Sequence, residues 1–198
     1  MYNWRKMTQE QRNDVLKTRK IQNQPLHGPT HVKGQKKIFH VSAACYEHRN
    51  IIGKSKNRLS FLQLSLNEAI KSEAKEIYAC VILPNHYHVL VKTEDVLKLL
   101  KNLFRLHQKT GFEWNREDLR KGRRVWCNAT ENAIKSDRHF WATMNYIHNN
   151  PVKHGLSNKW TDWPFSTAGE YLKKMGRDRA LTIWKTYDIS RMGLSWDT

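Results

Sequence analysis

The sequence predicts an α+β fold, a four-stranded antiparallel sheet in βαββαβ order with one further helix. Three observations carry this. Residues 36–47, KKIFHVSAACYE, alternate Phe39, Val41, Ala43 and Cys45 on one face with His40, Ser42 and Ala44 on the other, as a half-buried strand does. Two more apolar runs, EIYACVIL and HYHVLVK, are separated by only Pro84 and Asn85 and should pair as a hairpin. Two stripes at helical spacing begin at Leu59 and Val96. The order matches the ferredoxin-like split-βαβ plan, whose two helices cover one sheet face and leave the other for a ligand and an extra helix.

Each element has its own signal. Residues 1–33 are polar and basic and end in QPLHGPTH, where Pro25, Gly28 and Pro29 favour an irregular arm. A short helix over 8–20 has only Val15 and Leu16 as its apolar face. The body is expected at 34–170. Leu59, Leu62, Leu66, Ala69 and Ile70 make the first stripe. EIYACVIL is apolar throughout and reads as a strand covered on both faces. HYHVLVK separates Tyr87, Val89 and Val91 from His86, His88 and Leu90. Thr93 is a candidate cap, with Glu94 and Asp95 in the first turn and an apolar stripe running to Gly111. A basic, Trp-bearing loop follows, then RRVWCNATENAI as a last strand of poor alternation. Ser136 and Asp137 open a helix that Pro151 should close. Residues 171–198 form a tail without a readable motif.

Charge narrows the function. Of 198 residues, 35 are Lys or Arg and 18 Asp or Glu, a net +17 that points to a polyanion, nucleic acid first. The excess sits mainly in residues 1–60 and 101–130. Cys45, Cys80 and Cys127 are odd in number and contain no CxxC, so they read as reduced thiols of a cytoplasmic, nucleoid-associated protein. No apolar stretch is long enough for a bilayer, and no membrane role is expected.

His86 and His88 lie two apart on a strand, so both imidazoles face one side, as two ligands of one divalent ion would. The pair alone fits hydrogen-bonded imidazoles under a helix better than it fits a metal site. The helix at 137–150 adds a second element: Phe140, Trp141, Met144 and Ile147 should dock on the sheet, while His139, Thr143, Tyr146 and Asn150 form a polar stripe. Tyr146 is a usable nucleophile if a cation neutralises its electrophile, because a free phenol titrates near ~10. Asn150, one turn on, offers a carbonyl oxygen to that cation.

LPNHYHVLVK resembles the histidine-hydrophobe-histidine motif of the HUH single-tyrosine transposases, and NYIHNNPVKHGL followed by WTDWPFST resembles the tyrosine-helix signature of their REP-associated branch. The resemblance spans about residues 36–170. It implies Mg²⁺ or Mn²⁺ at His86 and His88 with Asn150 as third polar ligand, and attack by Tyr146 on the scissile phosphate of single-stranded DNA beside a hairpin. The implied product is a 5′-phosphotyrosine bond and a free 3′-hydroxyl that can reverse the step; the branch resembles a monomeric design, with a dimer as the alternative. One departure is Asn132, which stands where the branch often carries a histidine.

Other residues weigh less. Arg116, Arg120, Lys121, Arg123 and Arg124 are candidate DNA contacts, and so is Lys153. His27 and His31 read as arm residues, and His148 points to another side of the helix than Tyr146. His154 follows the helix end, beside a phosphate or the helix C-terminus. Two rival readings stand beside the nuclease: a two-histidine RNA phosphoesterase, for which HVS at 40–42 supplies one element, and a non-catalytic nucleic-acid binder.

Overall fold

Strand pairing in the computed structural model, which describes residues 7–21 and 37–189, sets the frame. Strands β1 (Ile38–Ala44), β2 (Ala74–Ile82), β3 (His86–Thr93) and β4 (Thr130–Ala133) form one sheet in the order β2-β3-β1-β4, antiparallel throughout. Helix α1 (Gln9–Ile21) buries none of its residues. His27 and His31 lie outside the described residues.

Helices α2 (Lys56–Lys71) and α3 (Val96–Glu117) cover one face of the sheet. Ser55 caps α2 by accepting from the Arg58 amide at 3.2 Å, and Leu59, Leu62, Leu66 and Ile70 are its buried stripe. They meet Phe39, Val41, Tyr87, Val89 and Val91 of the strands. Helix α4 (Asp137–Lys153) lies on the other face, where Met144, Tyr146 and Ile147 pack with Ala79, Val81 and Leu90. Helices α5 (Ala168–Met175) and α6 (Arg177–Thr186) follow, so the expected boundary at 170 falls inside α5. Asn145 of α4 donates to the carbonyls of Ile183 and Tyr187, at 3.3 and 3.0 Å, and docks this C-terminal segment.

Several boundaries differ from the sequence reading. The cap of α3 is Asp95, which accepts from the Lys98 amide at 3.0 Å; Thr93 instead donates to the Glu73 carbonyl at 2.8 Å. Helix α3 does not stop at Gly111, because Trp114 is still buried about one turn later and holds the continuation against the core. Arg116 is therefore helical, not in a loop. The last strand is only four residues, preceded by an isolated Cys45↔Trp126 bridge. The Ser42↔Thr130 register is one residue longer than that bridge requires, so an extra residue interrupts the pairing. Pro151 does not close α4: the His154 amide still reaches the Asn150 carbonyl at 3.0 Å, since a proline so near the end removes a single donor. Trp141 packs against the cluster on this face of the sheet and also stacks on Tyr187.

Two features place the candidate site. The WPFST segment runs along β2, with the Ile82 amide donating to the Phe165 carbonyl and the Thr167 amide to that of Cys80, both at 2.9 Å, and so covers the sheet edge. At the β2–β3 turn, Gly53 donates its amide to the Pro84 carbonyl at 2.8 Å, and a Cβ at Gly53 would come within 2.4 Å of the Pro84 Cβ. Only glycine lets the chain press on the turn that carries Asn85.

Two buried histidines are core residues with an acid liability. His107 stacks on Trp126 and bonds the Tyr87 hydroxyl at 3.1 Å, while His148 bonds Thr167 Oγ1 at 3.1 Å. Burial pushes both imidazoles down to about 3. In the unfolded chain they titrate near ~6.5, so stability is full above that pH and is lost as pH falls from ~6.5 toward 3. Urea unfolding at pH 5 should show a loss of about 2 kcal/mol for each relative to pH 7. An unchanged midpoint between the two would place these rings in water.

Candidate functional site

The histidines of β3 are buried on the α4 side of the sheet, with ring centroids 5.0 Å apart. Neighbouring side chains determine which nitrogen each presents. His88 Nδ1 shares a hydrogen bond with His40 Nε2 at 3.1 Å, so Nε2 is the His88 nitrogen that could serve a metal. Asn85 donates its Nδ2 to the His48 carbonyl at 3.0 Å, so its Oδ1 must be the acceptor that meets His86 Nδ1 at 2.7 Å. The proton of His86 is thereby on Nδ1, and the Nε2 lone pair faces Asn150 Oδ1 at 3.2 Å.

Two acceptors facing each other at that distance suit a cation. Adjacent ligands of an octahedral ion bound at ~2.1 Å are roughly 3 Å apart. Asn150 is wholly buried, and its Nδ2 finds no hydrogen-bond partner among the described residues. Among the described residues no three His, Cys, Asp or Glu side chains are grouped as a metal site, and the candidate donors here are two imidazoles and one amide oxygen. Burial, with His154 and Lys153 nearby, pushes His88 down to about 3, which keeps it neutral as a ligand must be.

Tyr146 belongs to the same cluster. It is 1% exposed, its ring 5.3 Å from that of His88 and 6.1 Å from that of His40. Helix α4 sets this, since Tyr146 and Asn150 are one turn apart and α4 packs across β2 and β3. Lys153 lays its ammonium over the Tyr146 ring at 5.3 Å. His139 and Thr143 take no part: His139 Nδ1 accepts from the Lys135 amide at 3.2 Å, and Thr143 donates to the His139 carbonyl at 2.7 Å.

Two neighbours were not placed at this cluster by the sequence reading, and a third, His154, was weighed only as a phosphate or helix-end contact. His40 orients His88, Asn85 orients His86, and His154 lies with its ring 5.1 Å from that of His86. Burial lowers His154, and the neighbouring Lys153 and His48 add to the effect. The signal for His154 was present: it continues the polar stripe one turn past Asn150. His48 ends a short turn in which Glu47 and His48 take φ of 58° and 51°, a left-handed pair costing of order 1 kcal/mol or more each. Asn132 pairs with His40 in the β1–β4 register.

His40 and His88 are bonded to each other, so no gap for a phosphate lies between them and the two-histidine phosphoesterase arrangement is not formed. The basic candidates separate. Arg120, Lys121 and Arg124 are exposed near the Tyr46 turn, and Arg116 is exposed on α3. Arg123 is half-buried, bonded to Asp118 at 2.7 Å and Asn115 at 2.8 Å.

No family model matches the chain. A Haemophilus influenzae protein named as a REP-associated tyrosine transposase is 31% identical over 106 residues, which is 46% of this chain and 58% of that protein. The chain thus spans less than two thirds of that relative's length. A solved REP-associated tyrosine transposase bound to a REP hairpin superposes with a TM-score of 0.61 at 19% identity, covering 84% of this chain and 94% of the other. The chain has the fold of a REP-associated tyrosine transposase. The resemblance read from the two motifs is borne out, and so is the α+β sheet plan. Among the described residues no helix is long and apolar enough to cross a membrane.

Proposed function

We propose that the protein is a metal-dependent, single-strand DNA endonuclease and strand-transferase that cuts near hairpins through a 5′-phosphotyrosine bond. The observation that carries this is the convergence of Tyr146, His88, His86 and Asn150 on one buried spot, with His86 Nε2 and Asn150 Oδ1 facing at 3.2 Å. A relative and a structural neighbour named as REP-associated tyrosine transposases, the latter bound to a REP hairpin, support the substrate class.

Tyr146 Oη attacks phosphorus; the new O–P bond replaces the P–O3′ bond, and O3′ takes up a proton as the phenol gives one away. Bonds of the same kind are exchanged, so the 3′-hydroxyl can reverse the step without an energy source. His86, His88 and Asn150 would hold Mg²⁺ or Mn²⁺, and that ion supplies charge neutralisation at the phosphate. Lys153 is exposed and His154 half-buried at the rim, where a cation and a ring N–H can meet a non-bridging oxygen. The buried ring of Tyr146 excludes water, which protects a covalent intermediate.

The test is a hairpin-bearing, single-stranded oligonucleotide incubated with the protein and Mn²⁺. A protein–DNA band that survives denaturation, and that EDTA removes, is expected. Absence of the band with every divalent ion tried would leave a non-catalytic nucleic-acid binder.

A further inference from the structure

The turn that orients Asn85 also forms one wall of an open basin of about 580 Å³, lined by Tyr46, Arg49, Lys54 and the 120–124 segment. Its cations fall into two groups. Lys54 and Arg123 meet Asp118 at 3.0 and 2.7 Å, and Arg49 pairs with Glu47. No acid among the described residues pairs with Arg120, Lys121 or Arg124. Arg124 instead lays its guanidinium over the Tyr46 ring at 4.9 Å and donates to the Trp126 carbonyl at 3.2 Å.

We propose that this basin is a second DNA subsite, which grips backbone phosphates of a duplex stem next to the strand that is cut. It rests on the reading above that hairpin DNA is the ligand, though not on the covalent chemistry. Three uncompensated cations in one concavity call for a polyanion. Arg124 already covers one face of the Tyr46 ring, which favours phosphates over stacked bases as the ligand. A duplex presents phosphates more densely along its axis than a single strand does, and cations without base readout suit it. Asp118 holds Arg123 and Lys54 in place as the wall of the basin, which leaves the exposed cations to the ligand. The turn at the wall of the basin is tied to the candidate site through the His48 carbonyl, Asn85 and His86.

The experiment is equilibrium binding in EDTA, with no covalent step, of a hairpin oligonucleotide and of a stemless strand of equal length at several salt concentrations. The variant Arg120→Ser/Lys121→Ser/Arg124→Gln should lower the hairpin's salt slope by about 2.7, at ~0.9 per lost phosphate contact, and weaken binding roughly tenfold or more near 0.1 M salt. Stemless affinity should change less than about threefold, since that strand has no stem to seat. Should the triple variant fail to fold, Arg120→Ser/Lys121→Ser alone should lower the slope by about 1.8. An unchanged slope, or equal loss for the stemless strand, would overturn the proposal. A parent chain that forms no adduct yet shows this slope change would sink the nuclease reading alone.

Discussion

Tyr146→Phe is expected to bind a hairpin oligonucleotide within about twofold of the parent chain and to form no denaturation-resistant adduct. The substitution removes one oxygen and nothing else. The ring keeps its place against His88 and His40, under the Lys153 ammonium and among Met144, Ile147 and Leu90, so the helix has no reason to move. A nucleophile has no substitute at its own position, which makes the loss complete rather than graded. His86→Ala should lose the band by another route, through the ion, while its Tyr146 hydroxyl is intact. The two differ in a readout besides activity: Mn²⁺ should raise the melting temperature of Tyr146→Phe as it does that of the parent, and should not raise that of His86→Ala. A band that persists in Tyr146→Phe would remove this residue from the role.

Asp118→Asn should cost about 3 kcal/mol, read as a melting temperature lowered by roughly 6–12 °C for a chain of this size. Asp118 is the acid of a cluster of three cations, 2.8 Å from Arg58, 2.7 Å from Arg123 and 3.0 Å from Lys54. Its side chain is 9% exposed and that of Arg58 is 7%. The cations hold its carboxyl well below the usual range, although its own burial pulls the other way. An amide of the same shape leaves the buried Arg58 with Glu117 as its remaining acid, and that carboxylate is half in water. Removing one member of a buried ion cluster costs far more than the cluster adds over an apolar replacement, because a desolvated charge is left behind. Glu117→Gln is the control: its side chain is 54% exposed, and the loss should stay below about 1 kcal/mol. Equal effects for the two would mean that water screens Asp118 as fully as it does Glu117.

The parts of this protein that depend on short-range periodicity were legible before any coordinates. Alternation in 38–44 and in 86–92, and the stripes of α2 and α3, each state which face of an element is apolar, and the sheet formed with the predicted faces. His86, His88, Tyr146 and Asn150 could be named for the same reason: periods of two and of nearly four place side chains relative to their own backbone. What failed were endings. Gly111 and Pro151 stop isolated helices, yet α3 and α4 run past both because packing by Trp114, and a helix nearly finished at Pro151, outweigh a local preference of at most a few kcal/mol.

Residue by residue, then, the amino-acid order determined the elements, their faces and the identity of the four side chains at the candidate site. Only the tertiary structure decided how those side chains are aimed. That His40 holds His88, that Asn85 puts the proton on His86 Nδ1, and that Asp118 pairs with Arg123 are relations between segments 37 to 48 positions apart, or across a helix end. Hydrogen-bond direction and charge pairing depend on distances of about 3 Å, which periodicity along one chain segment does not encode and which only the packed fold brings about.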